Sequence, residues 1–96
     1  MEIAYKAIND ATRRAILSFL LDGPKNAGTI AKQFQMSKPS ISHHLDLLKQ
    51  AQMVKAEKKG QFIEYSLQQS GFESMYQWFL PFSLQFDFPK PKIRLS

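Results

Sequence analysis

The most constraining feature of this chain is a change of hydrophobic period within one short stretch, from helical before Ala51 to alternating after Met53. Ala27, Ile30, Ala31 and Phe34 recur at the i, i+3, i+4, i+7 spacing of one helix face, and Gln35-Met36-Ser37 then breaks the pattern. Ser37 can accept a hydrogen bond from the free N–H groups of a new helix. Pro39 falls in the first turn, where a missing N–H costs nothing. A second helix is therefore expected at once, with Ile41, Leu45, Leu48 and Ala51 inward and Lys38, Pro39, Ser42, His43 and Asp46 outward. Beyond it, Met53, Val54 and Ala56, then Phe62, Ile63, Tyr65 and Leu67, form two β-prone runs around Lys58-Lys59-Gly60-Gln61. The Lys59-Gly60 pair suits a two-residue turn that needs positive φ. Ile63, Tyr65 and Leu67 share one face by the period of two and are expected to pack on the helices, while Lys58, Lys59 and Gln61 ride the tip. The predicted fold class is mainly α with a small β-hairpin, a winged helix-turn-helix.

The outward side chains of the second helix suit duplex DNA. Ser37, Ser40, Ser42 and His43 can bond base edges or phosphates. Lys38 can reach a guanine or a phosphate, and Pro39 offers apolar contact to a thymine methyl. The charged hairpin tip fits phosphates or the minor groove beside that helix. Each element has a plainer reading: Ser37 to Ser40 cap a solvated helix, and lysines keep a hairpin tip soluble. Their order along the chain favours DNA. With 13 Lys and Arg against 8 Asp and Glu the net charge is +5, which permits a polyanionic partner.

The chain has 96 residues, 44% of them hydrophobic, enough for one domain with a modest core. Residues 1–86 are expected to form a single DNA-binding and dimerisation domain, and residues 87–96 a basic, extended tail. Ile3, Ala4, Ala7 and Ile8 fit a short first helix. Asp10 caps a second, in which Ile16, Leu17, Leu20 and Leu21 are apolar before Gly23-Pro24 stops it, with Arg13 and Arg14 expected in solvent. From Phe72 to Phe86 a third apolar segment carries Met75, Tyr76, Trp78, Phe79, Leu80, Phe82 and Leu84 on more than one side. One face should cover the core and another meet a second subunit alongside the Ile3 to Ile8 helix, giving an interface of Ile3, Ala7, Phe72, Met75, Tyr76, Phe79 and Phe82. The alternative is that all these aromatics fill one small core. Pro81 should kink or end this helix.

Asp10-Ala-Thr-Arg-Arg-Ala-Ile-Leu17, Ile30-Ala31, Ser37-Lys-Pro-Ser-Ile-Ser-His-His-Leu45, Ala51-Gln-Met-Val54, Gly60-Gln61 and Tyr65-Ser-Leu67 resemble the arsenical-resistance repressor (ArsR) family of winged-helix regulators. The resemblance spans residues 3–67 and is greatest to cysteine-free autorepressors of that family. It implies a homodimer joined by first and last helices, repression from an inverted-repeat operator, and DNA contact at Lys38, Pro39, Ser42 and His43 with the wing tip alongside. It also implies a regulatory protein as the signal that lifts repression. Ala11 stands where the family usually has proline, and the cysteine pair of its metal sensors is missing.

A metal is not expected. His43 and Asp46 share a helical face with His44 adjacent, but a closed site wants four ligands, and the last helix offers only Glu73. An enzyme is not expected either: without cysteine, a glycine-rich phosphate loop or a nucleophile-base-orienter set, no catalytic constellation can be drawn, and no small-molecule substrate is implied. No stretch near Met1 has the apolar run of a signal peptide and none approaches the roughly 20 apolar residues of a membrane span, so a cytoplasmic location is expected. The reading from another class is a protein-interaction module, with the winged helix as scaffold and the aromatic last helix as its working surface.

Overall fold

The computed structural model describes residues 2–89. In chain order these form α1 (Glu2–Ile8), α2 (Ala11–Phe19), β1 (Lys25–Asn26), α3 (Ala27–Phe34), α4 (Lys38–Gln50), β2 (Val54–Lys59), β3 (Phe62–Leu67) and α5 (Gln69–Gln85). The expected basic tail falls largely on residues 90–96, outside the described residues.

Side-chain caps start the helices where short polar residues stand. Asp10 accepts from the Arg13 N–H at 3.0 Å, Asn26 from the Thr29 N–H at 2.8 Å and Ser37 from the Ser40 N–H at 3.3 Å. The chain leaves α3 through Gln35 in the left-handed conformation (φ 53°), and the Met36 N–H returns to the Ala31 carbonyl at 3.0 Å. That tight exit lets Ser37 open α4 immediately. α2 stops at Phe19, two residues short of its apolar run, so Leu20 is buried but Leu21 sits on the turn at 75% exposure. Lys25 secures this turn by donating to the Phe19 and Gly23 carbonyls, each at 3.2 Å, and to Asp22, whose carboxyl that hydrogen bond holds below the usual carboxylate range.

The core is the one the periodicity marks. Ile16, Ile30, Ile41, Leu45, Leu48, Met53 and Val54 are wholly enclosed, and Ala31 and Ala51 nearly so. Each large side chain among them contributes about 1.5–3 kcal/mol of burial.

The sheet has one more strand than expected, in the antiparallel order β1-β3-β2. β1 is only Lys25-Asn26, paired with Tyr65 and Glu64 through its backbone. The hairpin turn also differs by one residue: Lys59 pairs with Phe62, so the turn is Gly60-Gln61 rather than Lys59-Gly60. Gly60 takes φ +60° at the first central position, as a type II′ turn requires. Tyr65 is buried and Leu67 packs on the core as expected, whereas Ile63 stays 49% exposed.

α5 departs furthest from expectation. It runs to Gln85 with Pro81 inside it, so the proline does not end the helix. Only Gly71 is buried and Met75 packs against the core; Phe72, Tyr76, Trp78, Phe79, Phe82 and Leu84 all remain exposed. A core filled by these aromatics is therefore ruled out, and the core-facing side of α5 is narrower than expected. Its first turn is tied to the turn after α4: the Gly71 N–H donates to the Gln52 carbonyl at 2.8 Å and Ser70 Oγ to Gln52 Oε1 at 3.0 Å.

The α2 cap carries a testable consequence. Hydrogen bonding from the Arg13 backbone N–H, reinforced by the Arg13 charge against partial desolvation, holds the Asp10 carboxyl below its ordinary value. A carboxyl depressed in the folded state contributes stability above its unfolded pKa and loses it as pH falls through the folded one. Asp10→Ala is expected to cost about 1 kcal/mol at neutral pH, a drop of about 4–8 °C in Tm. Asp10→Asn should keep the cap at neutral pH and flatten the acid limb of a Tm-against-pH profile. An unchanged acid limb in that variant would show that Asp10 is not the titrating group.

Candidate nucleic-acid interface

α4 lies with its N-terminal half beside the wing. Lys38 and Ser42 from α4, Gln61, Phe62, Ile63 and Tyr65 from the hairpin, and Asn26 to Gly28 at the start of α3 line one open cleft of about 280 Å³. Three elements distant in sequence thus present a single concave surface. Lys38 supplies positive charge there, while Ser42 and Gln61 supply donors and acceptors. Burial raises the Tyr65 phenol, with the Asp46 charge adding to the effect, so the cleft wall keeps a neutral hydroxyl.

The other expected contact residues lie outside this lining. Pro39 and His43 are exposed on α4 outside it, and Lys58 and Lys59 are exposed at the tip. Ser37 and Ser40 are exposed but engaged with one another, Ser37 Oγ donating to Ser40 Oγ at 3.0 Å, so capping occupies part of their hydrogen-bonding capacity. Lys59 Nζ stands 3.3 Å from Glu57 on the same strand, with both side chains more than half exposed. Such a surface pair is worth little and exchanges readily for a phosphate.

Sequence reasoning missed Phe62, an aromatic 63% exposed at the tip. Its signal was its place just after the turn, out of phase with the inward Tyr65. Arg13 was also misplaced. Its side chain is only 12% exposed, not solvated, because the guanidinium reaches the Ala7 and Lys6 carbonyls and His44 Nδ1. The two histidines separate accordingly: His43 points to solvent, while His44 is half-buried against Arg13 at 3.2 Å. Arg14 is exposed as expected and donates to the Ile8 carbonyl at 2.7 Å. Among the described residues, no three His, Cys, Asp or Glu side chains come together as a metal ion would need.

On the opposite side α1 and α5 lie against each other, with Tyr5 and Trp78 edge to face at 5.9 Å between ring centroids. Ile3, Tyr76, Phe79 and Phe82 are exposed on these two helices and Met75 is half-buried, while Phe72, also exposed, lines a cleft with Leu17, Leu21 and Leu67 instead. Ala7 is a correction to the expected interface: at 3% exposure it belongs to the protomer's own core and has almost no surface to offer a second copy. Among the described residues no helix is long and apolar enough to cross a membrane.

The capped helix pair, the hairpin beside it and the shared cleft define a winged helix-turn-helix protein. The chain belongs to the ArsR family of bacterial regulatory proteins, whose family model matches residues 10–56. It is 50% identical over 82 residues to the transcriptional repressor SdpR of Bacillus subtilis, covering 85% of this chain and 91% of that one. An HTH-type transcriptional regulator of Mycobacterium tuberculosis is 36% identical over 75% of this chain and 67% of its own length. The crystal structure of an ArsR family transcriptional regulator shares the fold with a TM-score of 0.78 at 26% identity, covering 88% and 87% of the two chains. The solution structure of a homodimeric winged helix-turn-helix DNA-binding domain from Mycobacterium bovis has the same fold, with a TM-score of 0.68 at 24% identity over 88% of this chain and 75% of that one.

Proposed function

We propose that this chain is a transcriptional repressor, acting on its own operon, that binds an inverted-repeat operator as a homodimer. The observation that carries the reading is the cleft in which Lys38 and Ser42 of α4 face Gln61 of the wing, with Pro39, His43, Lys58 and Lys59 exposed outside it. A helix carrying short polar side chains enters the major groove, and a basic hairpin beside it meets phosphates or the minor groove. Exposed apolar side chains on α1 and α5 supply the dimer face, and closed two-fold symmetry matches a palindromic site. The 50% identity to a transcriptional repressor supports the sign of the regulation. In this reading residues 1–86 bind DNA and dimerise in the cytoplasm, residues 87–96 are a basic tail, no catalysis or metal is involved, and a regulatory protein lifts repression.

The test separates base reading from charge. On a duplex selected by the protein from a random-sequence library, Ser42→Ala or His43→Ala should cost about 1–3 kcal/mol, with little loss on unrelated DNA. Lys59→Ala should weaken both and lower the salt slope by about one. Equal losses on both DNAs for Ser42→Ala would contradict base reading at that position. If no duplex is enriched at all, the chain is instead an interaction module working through α5.

A further inference from the structure

We propose that Arg13 and His44 tie the dimer-forming end of the protomer to its reading helix, and so set the operator half-site spacing that the dimer accepts. The inference rests on the DNA-binding reading above and adds to it a pair of positioning residues that touch no base.

A guanidinium presents donors in a rigid fork and cannot accept. Arg13, on α2, spends that fork on two other helices. Its Nε donates to the Ala7 carbonyl at 2.6 Å and one terminal nitrogen to the Lys6 carbonyl at 3.1 Å. These carbonyls lie in the last turn of α1, where a helix leaves acceptors without intrahelical partners. The other terminal nitrogen meets His44 Nδ1 on α4 at 3.2 Å. Because arginine can only donate, this contact is a hydrogen bond with Nδ1 as the acceptor. The Asp10 carboxylate, 3.9 Å from the same guanidinium, steadies it from the start of α2. With its side chain 12% exposed, Arg13 makes the Ala7 and His44 contacts partly shielded from water, where each counts for more, while the Lys6 bond lies at the surface.

His44 directly follows His43, so the rotation of α4 that satisfies Arg13 also fixes the direction in which Ser42 and His43 point. α1 lies against α5 and contributes Ile3 to the exposed apolar face assigned to the dimer. Each reading helix is therefore referenced, through one side chain, to the two-fold axis. In a symmetric dimer the distance between reading helices determines the half-site spacing. A lysine could not replace Arg13, since one ammonium cannot reach two α1 carbonyls and an imidazole in this fork geometry.

The experiment uses the full chain and three duplexes: the selected operator, the same operator with one base pair inserted between half-sites, and an isolated half-site. Wild type should prefer the first over the second. His44→Ala and Arg13→Lys should each lower affinity for the selected operator about tenfold and flatten that preference, leaving half-site affinity and the dimer dissociation constant unchanged. His44→Gln, whose amide oxygen can accept the same N–H, should retain the preference. The double variant should lose no more than either single one, because both changes break one link. Thermal melting of each variant confirms that it is folded. The proposal is overturned if half-site affinity falls as far as operator affinity, if His44→Gln behaves as His44→Ala, or if the two losses add. Wild type that prefers no paired half-sites would instead overturn the DNA-binding reading itself.

Discussion

Gly71→Ala is expected to destabilise the fold by about 3 kcal/mol or more, lowering Tm by more than about 10 °C. A Cβ at this buried position would collide with the Ala51 carbonyl oxygen and approach both the carbonyl carbon and oxygen of Gln52 to 2.8 Å. All three are backbone atoms of the turn between α4 and β2, so no side-chain rotation relieves the clash. The Gly71 N–H to Gln52 hydrogen bond occupies the same contact, and Gln52 is itself held at φ 57°. The substitution must push α5 away from the core and with it the aromatic face that α5 carries. Gly60→Ala provides the contrast: nothing lies within 4 Å of its Cβ, and only the φ of +60° opposes the change, a cost of about 1–2 kcal/mol. Thermal unfolding of the two variants would check the order. Equal, small losses would mean that α5 is not docked through Gly71.

Phe79→Asp is expected to weaken self-association by at least about 2 kcal/mol, roughly 30-fold, while the protomer stays folded. Phe79 is 47% exposed, so the substitution removes little from the protomer's own core. Its cost arises only if the exposed row of Ile3, Tyr76, Phe79 and Phe82 meets a second copy, where a carboxylate would be desolvated without a partner. Operator affinity should fall further than half-site affinity, because engaging two half-sites at once depends on the linkage between protomers. Phe79→Leu should retain the dimer. Sedimentation showing the same species for wild type and Phe79→Asp would remove α5 from the interface.

What could be read from the sequence was what local chemistry determines. The helix-turn-helix followed from the 3.6-residue period of Ile30, Ala31, Ile41, Leu45 and Leu48 and from the caps at Asp10 and Ser37, and those residues occupy the expected places. β1 was invisible because Lys25-Asn26 has no side-chain pattern and exists only through its backbone pairing with β3. The turn slipped by one residue because Gly60 can serve in either position of a two-residue loop. Period alone assigned Ile63 a face but not how closely the helices pack against it; it lines an open cleft beside α4 instead of the core. The larger misses are long-range. Arg13 meets His44 across 31 positions, and Gly71 meets a turn formed near Ala51 and Gln52; neither contact leaves a periodic trace. Ala7 shows the ambiguity of a short apolar helix, whose stripe cannot say whether its own core or a second copy will cover it.

Titrating the selected inverted-repeat duplex at several salt concentrations, with stoichiometry recorded at each, tests whether a two-fold dimer reads DNA through α4 and the wing. Expected are two protomers per duplex, a linear fall of log affinity with log salt from phosphate contacts, and a preference over unrelated DNA of about a thousandfold or more. Saturation by a single protomer, or equal affinity for unrelated DNA at every salt concentration, would contradict that reading.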